Sequence, residues 1–216
     1  MKPRWIGRAA VPVLTAAVLA GPPAREADEN WPQWRGPHFN GSTASGSPPA
    51  EWAEDQNVAW KVAIPGKGSS SPVVWGNRIY LTTAVPTGET AESPSQPALE
   101  TLSPDARAGR RGPGHTPFPT EIQRFQVLAI DRETGKTVWE RTVEAAVPHE
   151  GHHQTGTYAS GSAVTDGANV YAFFGSRGMY CLDRDGNIQW KKHFGRMTIK
   201  LGFGEGASPV LHGQTL

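Results

Sequence analysis

The sequence predicts an all-β chain built as a β-propeller of four-stranded antiparallel blades, an incomplete one with about two to three blades present. Three observations lead there. Stretches beginning at Ser69 (SSSPVVWGNRIYLTT), Ala159 (ASGSAVTDGANVYAFF) and Gly204 (GEGASPVLHGQTL) share a cluster of small residues, an apolar pair and a turn glycine. A second pair, VLAIDRETGKTVWE from Val127 and MYCLDRDGNIQWKK from Met179, shares an apolar strand ending in Asp, a turn glycine and a tryptophan four residues after it. The 25 glycines and 19 prolines of the 216 residues favour a turn-rich fold over a helical one.

Spacing supports the repeat. Ser162 and Ser208 lie 46 residues apart, Trp139 and Trp190 51, and Ser71 and Ser162 91, about twice the period. The excess falls at 84–120, a Pro-, Gly-, Ser- and Thr-rich stretch without a period of 2 or 3.6, expected as an inserted, mobile surface loop.

Taken in order, residues 1–24 read as a signal peptide. Lys2, Arg4 and Arg8 precede an apolar run from Ala9 to Ala20, too short for the roughly 20 residues of a membrane span, and small residues follow. The rest is expected to be exported, to the periplasm or outside the cell. Residues 25–57 form a leader containing WPQWRGP, with Trp31 and Trp34 expected on the propeller surface or near its central channel. Residues 58–216 form the partial propeller. Trp60, in NVAWKVAIPG, marks an outermost strand without its inner three, of the sort that closes a ring. The second unit is expected as strands at 158–165, 169–175, 178–183 and 187–193, with Gly186 making a tight turn at positive φ. The third unit breaks off at VLHGQTL, and the chain is expected to be an N-terminal fragment.

AIDRETGKTVWE resembles the tryptophan-docking repeat of exported pyrroloquinoline-quinone-type propellers, A-x-D-x-x-T-G-x-x-x-W, at Ala129, Asp131, Thr134, Gly135 and Trp139. CLDRDGNIQW matches at Asp183, Gly186 and Trp190, one residue shorter in the turn. The resemblance covers most of the chain after residue 30. It implies that Asp131, Gly135, Trp139, Asp183, Gly186 and Trp190 are structural. Each tryptophan would wedge one blade against the next, at about 2–3 kcal/mol for a buried indole.

The composition narrows the function. With 21 basic against 20 acidic residues, nothing draws the chain to nucleic acid or to an anionic membrane. The single cysteine, Cys181, lies between apolar neighbours and is expected in the core. His149, Glu150 and His153 satisfy H-E-x-x-H, but a zinc peptidase needs both histidines on one face of a long helix, and Gly151 and Gly156 interrupt any helix here. His149, Glu150, His152 and His153 instead form a dense donor cluster in a loop, a candidate transition-metal site that His115 could join. GFGEG from Gly202 lacks the Lys and helix of a phosphate loop and reads as a turn, with Glu205 placed facing the central channel.

The leading expectation is a non-catalytic exported binding or scaffold propeller with no catalytic residues and no cofactor assigned. Its partner would be a protein or small molecule on the propeller face. Its repeat type is similar to that of the outer-membrane assembly propeller. The alternative is a fragment of a quinone-dependent dehydrogenase with its catalytic blades beyond residue 216. The quinone enters only through the resemblance, and the vicinal disulfide of those enzymes has no cysteine pair here.

Overall fold

The computed structural model describes residues 30–43, 46, 48–92, 118–197, 199 and 202–216. Two four-stranded antiparallel sheets dominate it. The first contains β1 (Val73–Trp75), β2 (Arg78–Thr90), β3 (Glu121–Asp131) and β4 (Thr137–Ala146). The second contains β5 (Val164–Thr165), β6 (Asn169–Phe173), β7 (Met179–Asp183) and β8 (Ile188–Lys192). In both sheets the spatial order is the chain order, so each is a simple up-and-down blade. The signal-peptide expectation and His115 fall outside the described residues. No helix of the described residues is long and apolar enough to cross a membrane.

Turn chemistry sets the registers. Gly76 and Asn77 make a two-residue turn that pairs Trp75 with Arg78. Between β3 and β4, Asp131 Oδ1 accepts the Thr134 N–H at 2.9 Å and its hydroxyl at 2.8 Å. Between β7 and β8, Asp183 Oδ1 accepts the N–H groups of Asp185 at 3.0 Å and Asn187 at 2.9 Å. An Asp that folds its carboxylate back over the following amides is a local alternative to ladder bonding, so the strand ends there.

The burial patterns show why these strands stack as blades. β3 is buried on both faces from Phe125 to Ile130, as a central strand between neighbours must be, whereas the outermost β8 is exposed throughout. The core lies between the sheets. Tyr80, Phe125 and Val127 of the first meet Ala163, Val170 and Phe174 of the second, with the Phe125 and Phe174 rings edge-to-face at 5.4 Å.

Two expectations require correction. The stretch 84–120 is not a loop from its start. β2 continues to Thr90, and Thr90 pairs with Glu121, so the hairpin itself is lengthened before the chain leaves it. Alternation of Thr83, Val85 and Thr87 carries the strand through a composition that otherwise resembles a loop. The rest of that segment, 93–117, is outside the described residues. The expected strand at 158–165 shrinks to Val164–Thr165. Its first part carries sideways bonds instead. The Ser71 N–H donates to Ser162 Oγ at 2.8 Å, and the Ser162 N–H donates to Ser208 Oγ at 2.9 Å. The small-residue clusters therefore tie one unit to the next and leave the ladder until the apolar pair that follows. The third unit forms only a His212–Thr215 bridge after Ser208.

Candidate functional site

Three arrangements collect the chemistry-bearing residues. The first is the joint between blades. The Trp139 indole donates from Nε1 to the Arg184 carbonyl at 2.8 Å, across the joint, and Gly186 lies beneath the ring. A Cβ at Gly186 would meet that ring at 2.7 Å, and φ there is +81°, so only glycine suits both the turn and the contact. Trp60 repeats the arrangement one step earlier. Its Nε1 donates to the Arg132 carbonyl at 2.9 Å, and a Cβ on Gly135 would meet its ring at 2.6 Å. Within each blade the tryptophan also leans on a tyrosine, Trp139 on Tyr80 and Trp190 on Tyr171, both at 6.0 Å. Trp190 stops at that inner contact and is 41% exposed.

The turn aspartates serve the same joint. The Thr134 hydroxyl, then its amide, hold the Asp131 carboxyl below the usual range, and the Asn187 side chain and amide do the same for Asp183. A further joint was not legible as a motif. Trp75, at the end of β1, covers Gly167 in the β5–β6 turn of the next blade so closely that a side chain there would collide with it. Its signal is the pairing of WGN in one unit with DGAN in the next.

The second arrangement is the histidine loop. His149 and Glu150 are buried, 6% and 5% exposed. His152 turns its ring edge-on to Tyr158 at 4.5 Å, with Nδ1 2.6 Å from the His153 carbonyl. The His153 ring packs on Phe203 at 5.5 Å, and its Nδ1 accepts the Thr155 amide at 3.3 Å. Among the described residues no group of three His, Cys, Asp or Glu side chains is arranged to hold a metal ion. Of the expected metal set, His149, Glu150 and His152 line one small cavity, and the His153 ring lies on Phe203. The loop is also a joint. The His153 N–H donates to the Phe203 carbonyl at 3.1 Å, Glu150 Oε1 accepts the Ile199 amide at 3.2 Å, and Gly204 sits against the His152 side chain. These contacts dock the third unit against the loop.

Glu205 belongs to this joint. Its carboxylate accepts the Ser176 amide at 2.8 Å and, more tightly, the Ser176 hydroxyl. Burial raises its pKa, and the Ser176 bonds only partly offset that. Beside it Arg177 donates to the Val147 carbonyl, and Tyr180 donates to the Arg177 carbonyl at 2.7 Å. The cavity among Glu150, His152, Arg177 and Glu205 has about 20 Å³ of free volume, room for about one water. Cys181 is 2% exposed, and burial lifts its thiol to about 11, which keeps it protonated and unreactive.

The third arrangement is a cleft of about 420 Å³ at the hub. The leader crosses there. Trp31 exchanges two backbone hydrogen bonds with Val74 of the innermost strand β1, both 2.8 Å, and the Pro32 carbonyl accepts the Thr165 amide of β5 at 2.9 Å. Trp31 thus reaches the hub, and Trp34, 59% exposed, lines the cleft there. The leader turn, with Gln33, Trp34, Arg35 and Phe39, forms one wall. Serines of three successive units, Ser71, Ser162 and Ser208, form the other. The serine repeat was visible in the sequence. Its convergence on one cleft with the leader was not, because the leader has no counterpart in the repeats.

Residues 120–213 match the family model described as outer membrane protein assembly factor BamB. No curated protein matches the chain. From the last two strands of the first blade to the third unit, the chain resembles the PQQ-like β-propeller repeat proteins of that family, in keeping with its sheets of four antiparallel strands.

Proposed function

We propose that the chain is an exported, non-catalytic propeller protein that binds a ligand or partner at its hub. The observation that supports this best is the division of labour among its polar and aromatic residues. Those shared by the repeats, Asp131, Gly135, Trp139, Asp183 and Gly186, are engaged in turns and blade joints. Trp34, Arg35 and Phe39 of the leader, with serines of three units, line instead a 420 Å³ cleft, within the roughly 300–1,000 Å³ of small-molecule sites. The matched family is described by its part in outer membrane protein assembly, and a non-catalytic role of that general kind suits a chain whose motif residues hold blades together.

The test is direct. The protein, expressed with its own N-terminus, is fractionated and its mature end sequenced, and the product is assayed for dye reduction with added quinone, calcium and simple alcohols. Cleavage near residues 20–27 with export, and no turnover, are the expected results. Quinone-dependent turnover would overturn the reading in favour of a dehydrogenase, and an uncleaved chain retained in the cytoplasm would overturn export.

A further inference from the structure

We propose that the hub cleft binds a carboxylated saccharide, a uronic acid or a short uronate chain, an inference that rests on the reading of the chain as a binding propeller. The sign of the cleft comes first. Among the described residues lining it there is one guanidinium, Arg35, and no carboxylate. A guanidinium presents a planar fork that matches a carboxylate with two parallel hydrogen bonds. Arg35 is exposed and lies 5.9 Å over the Trp34 ring, which fixes the fork beside an aromatic face.

The serine wall supplies the second feature. Ser162 Oγ and Ser208 Oγ each accept a backbone N–H from the preceding unit. A hydroxyl held as an acceptor on one side retains its own proton to donate on the other. Ser71, Ser162 and Ser208 therefore set hydroxyl groups along one wall, one per unit, each suited to the hydroxyl and ring oxygens of a sugar.

The opposite wall supplies the third. Trp34, 59% exposed, and Phe39, 44% exposed, line the cleft. The C–H bonds on one side of a pyranose are slightly positive and lie well on the negative face of an indole. Hydroxyls beside an exposed indole, with a single cation and no anion, are the complement of a sugar acid. An isolated phosphate would use neither aromatic face, and an apolar ligand would leave the serine row unpaired.

The experiment is calorimetric titration of the mature chain with digalacturonate, with neutral cellobiose and with acetate. Digalacturonate should bind, cellobiose about tenfold more weakly, and acetate not measurably. Both probe variants alter exposed side chains, and an unchanged melting temperature shows that they fold. Arg35→Gln should remove the preference for the acid while leaving cellobiose binding as it was. Trp34→Ala should weaken both sugars about tenfold. No heat from digalacturonate at millimolar concentration, equal binding of the two sugars, or binding indifferent to both variants would overturn the proposal. Binding of a peptide library at the cleft without sugar binding would overturn it too, while leaving the broader reading intact. Quinone turnover would remove that broader reading itself.

Discussion

Trp139 and Trp190 occupy the same place in two copies of one motif, yet only the first reaches a neighbouring blade among the described residues. Both lean on a tyrosine of their own blade at 6.0 Å. Trp139 goes on to the Arg184 carbonyl and the face of Gly186, whereas Trp190 is 41% exposed. The motif therefore poses the indole, and the next blade's Asp–Gly turn completes the dock. Trp60 makes the same point from the other side: it has no inner strands of its own among the described residues, yet it docks fully because the Gly135 turn is there to receive it.

Several changes would break or sharpen that contrast. The largest effect is expected from Trp139→Ala, which vacates the joint and leaves the Arg184 carbonyl without its donor. Denaturant unfolding should show a loss of about 3 kcal/mol, against less than about 1 kcal/mol for Trp190→Ala. Next, Gly186→Ala combines strain at positive φ with a collision against Trp139, and a loss of about 2 kcal/mol in the same measurement is expected. Ser162→Ala removes the acceptor of the Ser71 amide and should cost about 1–2 kcal/mol, whereas Ser162→Thr should recover much of it by keeping the hydroxyl.

The smallest effects are those of pH, and the two kinds of carboxylate have opposite signs. Asp131 and Asp183 have lowered pKa values in the folded chain. Their contribution is present above the unfolded value of about 4 and is lost as pH falls through the folded value. Glu205 is raised by burial, so its contribution is fullest below the unfolded value of about 4.3 and is lost as pH rises through the folded one. Melting temperatures followed from pH 3 to 8, at about one-unit steps, should therefore rise and then sag, and Glu205→Gln should flatten only the second limb.

Much of the fold was legible because the repeat encodes it locally. Asp131 and Asp183 cap turns with their own side chains, Gly135 and Gly186 mark positive φ, and alternation sets the strands between. What escaped the sequence depends on partners distant along the chain. The small-residue stretch before Val164 has the composition of a strand, but its Ser162 amide bonds sideways to Ser208. His152 and His153 of the loop carry metal-type donors, and the sequence did not show that their rings pack on Tyr158 and on Phe203 of the third unit. Ala84 to Thr90 lies in loop-like composition, and pairing with β3 makes it strand. The hub cleft follows the same rule. Its serines could be aligned in sequence, but the Trp34–Arg35 wall comes from a leader outside the repeat.

Hydrogen exchange of the indole Nε1 protons, followed by nuclear magnetic resonance in this 216-residue chain, tests the central claim most directly. Trp60 and Trp139, bonded across a joint to the Arg132 and Arg184 carbonyls, should exchange slowly, and Trp190 fast. Exchange of Trp139 as fast as that of Trp190 would contradict the account, because the turn of the next blade would then contribute nothing to docking.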